Sequence, residues 1–287
     1  MMNTYYVGWD VGAWKCKKQK YAPSSQDCIT ILDSNERLLF AWMGNIQSPL
    51  DSPNALLASL MNDKDNICYL SDNNEFMNNK AVSNESMQFI IAIDAVLGMP
   101  RHALLLFNLD GKHEKICYND CNDLIFRKTE KRSVFTRQPF SILQDSLGSQ
   151  ATKALTFLRH WKFKWDAEKF IWKKGEHIAF ETYPSAAREG DVLSFKDSGE
   201  INYNNETIDK NEKLAKPSDF YQKNEKGQKE WTKNWKLRWS DINDSLICAK
   251  VARKWGTLID PGDEEMACAA CEGWIWLPKD KWSSETR

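Results

Sequence analysis

The sequence predicts an α/β protein built on a mixed β-sheet, and three observations support this fold class. Short β-rich segments follow one another closely near the start of the chain, which favours an antiparallel meander. A nearly continuous apolar run over 88–95 is typical of a strand buried on both faces. Segments of helical periodicity separate the later strands. We therefore predict three antiparallel strands, then parallel strands, flanked by helices.

Length and composition limit the class of protein. The chain has 287 residues, of which 42% are hydrophobic and 28% charged, and this excludes fibrous and disordered classes. The net charge of −1 excludes a uniformly basic nucleic-acid coat but not a local basic face. We find no apolar run of the roughly 20 residues that a membrane span needs, and no signal-peptide pattern. We expect a cytoplasmic protein without a membrane partner.

The first half of the chain supplies most of the predicted sheet. Strands are expected over 5–10, 28–32 and 37–43, with a polar turn between the second and third. An N-terminal Asp or Ser cap, an early Pro and helical spacing predict a helix over 51–62. The apolar run at 88–95 gives the fourth strand.

The second half alternates helices with strands. A long helix is predicted from Pro139, a strand over 177–183 that Pro184 closes, and a last helix from Ser240, which we take as its N-cap. The stretch 197–230 is polar and is interpreted as a solvated or partly helical insertion. This order of elements is that of the ribonuclease-H-like fold. We predict one such domain over 1–287, with insertions.

Acidic residues lie where the predicted strands end or the last helix begins. Asp10 and Asp94 close two strands, and Glu181 closes a third. Asp241 and Asp244 share one face of the first turn of the last helix. An acid that ends a buried strand is costly unless it is paired or binds a metal. Oxygen ligands without histidine favour one or two Mg²⁺ or Mn²⁺ ions.

A zinc site is the rival metal centre. Cys117, Cys121, Cys268 and Cys271 form two local pairs with suitable spacing for four thiolates. The second pair lies in an Ala- and Cys-rich stretch that suits buried packing of small residues. Packing explains these cysteines without an added ion, so we do not predict zinc.

Seven short motifs follow one another along the chain: VGWD at 7–10, IDAVLGMP at 93–100, FRKTE at 126–130, PFS at 139–141, FETYP at 180–184, DINDSL at 241–246 and EGWIWLP at 272–278. In kind and order they resemble the motifs of domain-of-unknown-function family 429, predicted nucleases of the ribonuclease-H-like superfamily. The resemblance implies that a set of carboxylates is catalytic and binds metal: Asp10, Asp94, Glu181 and Asp244. It implies Asp241 as an additional metal ligand. It also implies that Arg127 and Thr129 contact substrate phosphate.

Two basic stretches are candidates for binding nucleic acid, either DNA or RNA. The first, 127–137, includes Arg132. The second, 159–174, combines Lys162 and Lys164 with Trp165 and further aromatic residues. Lys or Arg for phosphates and aromatic rings for base stacking is the usual strategy for single strands. An ordinary solvated hairpin whose aromatic side chains face the core explains the second stretch better, because the alternation also predicts a half-buried strand.

Three functions from different classes remain. The leading hypothesis is a hydrolase, a two-metal-type nuclease that cleaves phosphodiester bonds. An actin-like ATPase or phosphotransferase is the second, because Asp10, Gly12 and Lys15 resemble a first phosphate loop; the segment after Asp94 lacks the second, Gly- and Thr-rich loop. The third is a non-catalytic scaffold that binds nucleic acid or protein through the same fold.

Overall fold

The computed structural model describes most of a central sheet and its flanking helices. The described residues are 3–14, 26–63, 66–70, 87–98, 145–188, 193–195, 201–203, 206–207, 221–223, 229–231 and 239–279. The predicted start of the long helix at Pro139 and the basic stretch 127–137 lie outside them.

The elements predicted in the first half all form, and the structure adds a strand, β4, that the sequence analysis did not predict. Its elements are β1 (Asn3–Asp10), β2 (Asp27–Leu32), β3 (Leu38–Gly44), α1 (Pro53–Asn62), β4 (Ile67–Leu70) and β5 (Met87–Asp94). Helix α1 begins after Ser52, whose Oγ accepts a hydrogen bond from the Ala55 amide at 3.1 Å. The cap and the proline at the first helical position therefore both act as expected.

The second half adds the remaining strands and helices. These are α2 (Asp145–His160), β6 (Lys164–Asp166), β7 (Ile171–Lys174), β8 (His177–Glu181), α3 (Pro184–Ala187), β9 (Leu193–Phe195), β10 (Ile201–Tyr203), β11 (Glu206–Thr207), β12 (Tyr221–Lys223), β13 (Lys229–Trp231), α4 (Trp239–Arg253) and α5 (Asp263–Glu272).

The main sheet has eight strands in the order β4-β3-β2-β1-β5-β8-β7-β6. Strands β1, β2, β3 and β4 are antiparallel neighbours, whereas β1, β5 and β8 run parallel to one another. Strands β7 and β6 continue the sheet as an antiparallel hairpin. This is an α/β mixed sheet in a ribonuclease-H-like arrangement, as the sequence predicts. The carboxyl ends of β1, β5 and β8 therefore meet at one edge.

Two apolar cores cover the two faces of this sheet. On one face, Tyr5, Val7 and Trp9 of β1 pack with residues of α1 and α2. On the other, Ile90 and Ala92 of β5 pack with residues of α4 and α5. The alternation of side chains along each strand separates the two sets. Even-numbered residues of β1 and β5 thus face α4.

Helix α4 lies unusually close to β1, and Gly8 is the reason. A Cβ atom at Gly8 would lie 1.7 Å from the backbone oxygen of Ser245 and 2.5 Å from the backbone nitrogen of Ala249. Glycine is thus required for the close approach of strand and helix. This contact fixes α4 against the same face to which Asp10 belongs.

Two expected boundaries are corrected. Ser240 is the second residue of α4 and not its N-cap, because the helix begins at Trp239. Strand β8 ends at Glu181, two residues before the predicted end. Within 197–230, the described residues belong to strands β10 to β13, and the rest of the predicted insertion lies outside the described residues.

Within the part of the chain that the structure describes, no helix combines the length and the apolar character required to cross a bilayer.

Candidate carboxylate site

Two acidic residues lie side by side at the carboxyl edge of the sheet. Asp10 of β1 and Asp94 of β5 are register partners in the parallel ladder, so their backbones are about 4.8 Å apart. Both side chains are half-buried. Both also lie on the α4 face, because they have the same strand parity as Gly8 and Ala92. The sequence prediction that these two acids meet is confirmed.

The first two turns of α4 bring further carboxylates to the pair, Asp241 in the first turn and Asp244 in the second. Asp241 and Asp244 are three residues apart at the amino-terminal end of the helix, which lies across β1, β2 and β5. The helix dipole at this end favours negative charge, so it offsets part of the repulsion among the acids. The two groups are far apart in the sequence, and the close approach of α4 to β1 at Gly8 places them on the same face of the sheet.

Burial and mutual repulsion raise the pKa values of the two acids at the strand ends. Burial, followed by the charges of Asp94, Asp241 and Asp244, raises the pKa of Asp10 well above its usual value. Burial, followed by the charges of Asp244, Glu181 and Asp241, does the same to the pKa of Asp94. Each carboxylate therefore disfavours ionisation of the others. Such a cluster is stabilised by a proton or by a bound cation.

Glu181 takes a different position from the other acids. Its register partner on β5 is Ile93, whose side chain packs in the core opposite α4, so alternation directs Glu181 to that face. The side chain is buried, and its Oε2 accepts a hydrogen bond from the Leu97 amide at 2.8 Å. Glu181 thus holds the segment that follows Asp94.

The backbone of Glu181 is held in place by the segment that contains Ile275 and Trp276. Its carbonyl accepts a hydrogen bond from the Trp276 amide at 2.9 Å, within a short parallel bridge to Ile275. Thr182 Oγ1 donates to the Trp276 carbonyl at 2.8 Å. The motif at 272–278 therefore fixes the end of β8, where Glu181 lies.

An arginine that the sequence analysis did not single out reaches the cluster. Arg188 Nη2 donates to Asp244 Oδ1 at 2.5 Å. No spacing rule marks this residue in the sequence, because it follows a four-residue helix and belongs to no charge run. Its position after the strand that ends at Glu181 is the one available signal.

A buried ion pair next to the cluster was also missed. Lys153 Nζ of α2 donates to Asp27 Oδ2 at 2.5 Å, and both side chains are fully buried. Asp27 also accepts hydrogen bonds from the Trp9 indole and the amides of Gly12 and Ile46. It thus ties the turn after Asp10 to the segment after β3.

Burial affects both members of this pair. It lowers the pKa of Lys153, an effect that the charge of Asp27 opposes. It raises the pKa of Asp27, which the charge and hydrogen bond of Lys153 oppose. The signal in the sequence was an acid at the start of the β-rich run 28–32, all of which is buried.

The donor set was tested against the divalent cation that the sequence predicts. Among the described residues, no three His, Cys, Asp or Glu side chains are arranged as a ready-made metal site. Mg²⁺ is usually held by one or two carboxylates and completes its shell with water and substrate oxygens. The adjacent Asp10 and Asp94, each with a raised pKa, fit a cation of that kind. They do not form a closed cage.

Comparison of the chain with protein-family models, with curated proteins and with solved structures gives no match. The function must therefore be inferred from the chemistry of the site and from the motif resemblance.

The predicted substrate-binding residues are only partly placed. Arg127, Thr129 and Arg132 lie outside the described residues. Lys164 pairs with Lys173, whose neighbour on β8 is Ile178. On β8, Ile178 is three residues from Glu181, or roughly 10 Å along the strand.

The aromatic side chains of the stretch 159–174 lie mainly in the core. Lys162 and Lys164 are exposed, and their role in binding nucleic acid stays a prediction. Trp161 and Phe163 are buried in the core. Trp165 is half-buried and donates from its indole to the Ala270 carbonyl at 3.0 Å. The alternative interpretation, aromatic residues facing the core, is the one that the structure favours.

Two of the four cysteines weighed for zinc are described. On α5, Cys268 is half-buried and Cys271 is exposed. The expectation that both serve as buried packing is therefore wrong for Cys271, because the α5 face that carries it points to solvent.

Proposed function

We propose that this chain is a metal-dependent hydrolase that cleaves phosphodiester bonds of nucleic acid. The observation that carries the proposal is the pairing of Asp10 with Asp94 beneath Asp241 and Asp244 at the carboxyl edge of the sheet. Ligands of open α/β sheets bind at this edge. The resemblance to the predicted nucleases of family 429 supports the same chemistry.

The carboxylates have distinct roles in this proposal. Asp10 and Asp94 would hold Mg²⁺ or Mn²⁺, with the acids of α4 beside them. A bound cation would supply an activated water and stabilise the negative charge of the leaving oxygen. Glu181 acts chiefly by fixing the segment after Asp94 through the Leu97 amide. Its loss would loosen the loop beside the metal-binding pair.

Cleavage assays with labelled DNA and RNA test the proposal. Single- and double-stranded forms of each are incubated with Mn²⁺ or Mg²⁺ and with a chelator. We expect metal-dependent cleavage of at least one form. Asp94→Asn should lower the rate by more than about a hundredfold, since even residues behind the metal ligands cost 10–100-fold.

A matched control separates loss of a ligand from loss of a charge. Glu176 is exposed in the turn before β8, at the opposite end of the strand from Glu181, so Glu176→Gln should leave the rate unchanged. Full metal-dependent activity in Asp94→Asn would contradict the assignment. Hydrolysis of ATP without cleavage of any nucleic acid would support the phosphotransferase alternative.

A further inference from the structure

We infer that Arg188 is a side chain of the carboxylate site that exchanges one anionic partner for another. In the structure it pairs with Asp244, and it would turn to the substrate phosphate when a divalent cation binds that carboxylate. The inference rests on the proposed function and adds to it a phosphate-binding residue and a reason for its position.

The fold places Arg188 beside α4 by a short, well-anchored connection. After β8, Pro184 begins the four-residue helix α3, and Ala186 and Ala187 donate to the Tyr183 carbonyl at 3.0 Å each. Pro184 and Ala187 are buried, Ala187 in the core that α4 covers. The backbone of Arg188 is thus fixed, whereas its side chain extends to Asp244 in the second turn of α4.

The side chain is accessible enough to exchange partners. It is 36% exposed and the Asp244 side chain is 24% exposed, so neither is locked in the interior. The hydrogen bond to Asp244 uses Nη2. A guanidinium has five donors in a planar fork that matches phosphate oxygens in a bidentate way. The same group can therefore satisfy Asp244 or a phosphate next to it.

This exchange predicts effects of opposite sign on the two ligands. Because Arg188 and a cation compete for the charge of Asp244, removing the arginine should tighten metal binding. Because the arginine contacts phosphate in the complex, removing it should weaken nucleic-acid binding. A residue with a merely structural role would weaken both together.

Mn²⁺ titration calorimetry on the full chain, without nucleic acid, is the first measurement. For Arg188→Gln we expect a Kd for Mn²⁺ about two- to fivefold lower than in the wild type, the size of effect for a partly exposed ion pair. The matched control is Arg253→Gln, which breaks an ion pair of similar exposure (35% and 33%) with Glu36 at the other end of α4. It should leave the Kd for Mn²⁺ unchanged.

Cleavage kinetics on an oligonucleotide give the second measurement. Arg188→Gln should raise KM roughly tenfold, and the slope of log KM against log salt should fall by about 1, as for loss of one phosphate contact. Arg188→Lys keeps the charge but not the fork, so we expect a Kd for Mn²⁺ near that of the wild type together with a raised KM. This variant also controls for any failure of the glutamine variant to fold.

The outcomes separate this inference from the proposed function. If the wild type neither binds Mn²⁺ nor cleaves nucleic acid, both fall. If the wild type does both but Arg188→Gln binds Mn²⁺ equally or more weakly, the exchange is wrong and the proposed function stands. The same holds if KM and its salt slope do not change.

Discussion

Asp10 and Asp94 occupy positions in which an ionised carboxylate lowers the stability of the folded protein. Each is half-buried beside other carboxylates, and burial followed by their repulsion raises both pKa values. A carboxyl whose pKa is raised in the folded state contributes most stability below its unfolded pKa, near 3.8. That contribution is lost as the pH rises through the raised value.

Replacing Asp94 should therefore stabilise the metal-free protein. At pH 7, with chelator present, we expect Asp94→Asn to raise the free energy of unfolding by about 0.5–2 kcal/mol, as for other stabilising changes at functional sites. Urea denaturation between pH 4 and pH 8 measures this. The wild type should lose stability with rising pH more steeply than the variant. Equal pH dependence of the two proteins would show that Asp94 carries no such strain.

Lys153 should behave in the opposite way, because it neutralises a buried charge. Lys153→Met leaves Asp27 buried without its cation, and we expect a loss of about 3–5 kcal/mol of unfolding free energy. Lys164→Met, at an exposed position on β6, is the control and should change stability by less than about 0.5 kcal/mol. A similarly small loss for Lys153→Met would mean that Asp27 does not need the lysine.

At the scale of elements, the contact between β1 and α4 decides whether the site forms. An added Cβ at Gly8 meets backbone atoms of α4, which cannot rotate away as a side chain can. We expect Gly8→Ala to lower the free energy of unfolding by about 1–3 kcal/mol. It should also weaken Mn²⁺ binding, because α4 carries Asp241 and Asp244.

Gly256 provides the comparison for that substitution. A Cβ there would meet nothing within 4 Å, so Gly256→Ala should be neutral or slightly stabilising and should leave Mn²⁺ binding intact. Chemical denaturation and calorimetry on both variants measure the two effects. If Gly8→Ala matched Gly256→Ala in both, the close packing would not be what positions α4.

Elements with strong local signals were predictable. The cap at Ser52 and the apolar run of β5 gave boundaries within a residue or two. The start of α4 was misplaced because Ser240 resembles a cap although the helix already includes it. The short strands within 197–230 carry too few alternating residues for their period to be recognised.

At the scale of the whole molecule, the order of strands generates the site. Placing β1 and β5 side by side in parallel brings Asp10 next to Asp94, and this meeting was predictable from the acids that end apolar runs. The Arg188–Asp244 and Lys153–Asp27 pairs were not, since residues 56 and 126 positions apart meet only through packing. Sequence periodicity contains no information about such contacts.

The central claim is that these carboxylates bind a divalent cation, and Mn²⁺ calorimetry on wild type and Asp94→Asn tests it most directly, with Glu176→Gln as the charge control. We predict saturable binding in the micromolar-to-millimolar range for wild type and control, and none for Asp94→Asn. Equal heats from all three proteins, or no binding by the wild type, would contradict the account.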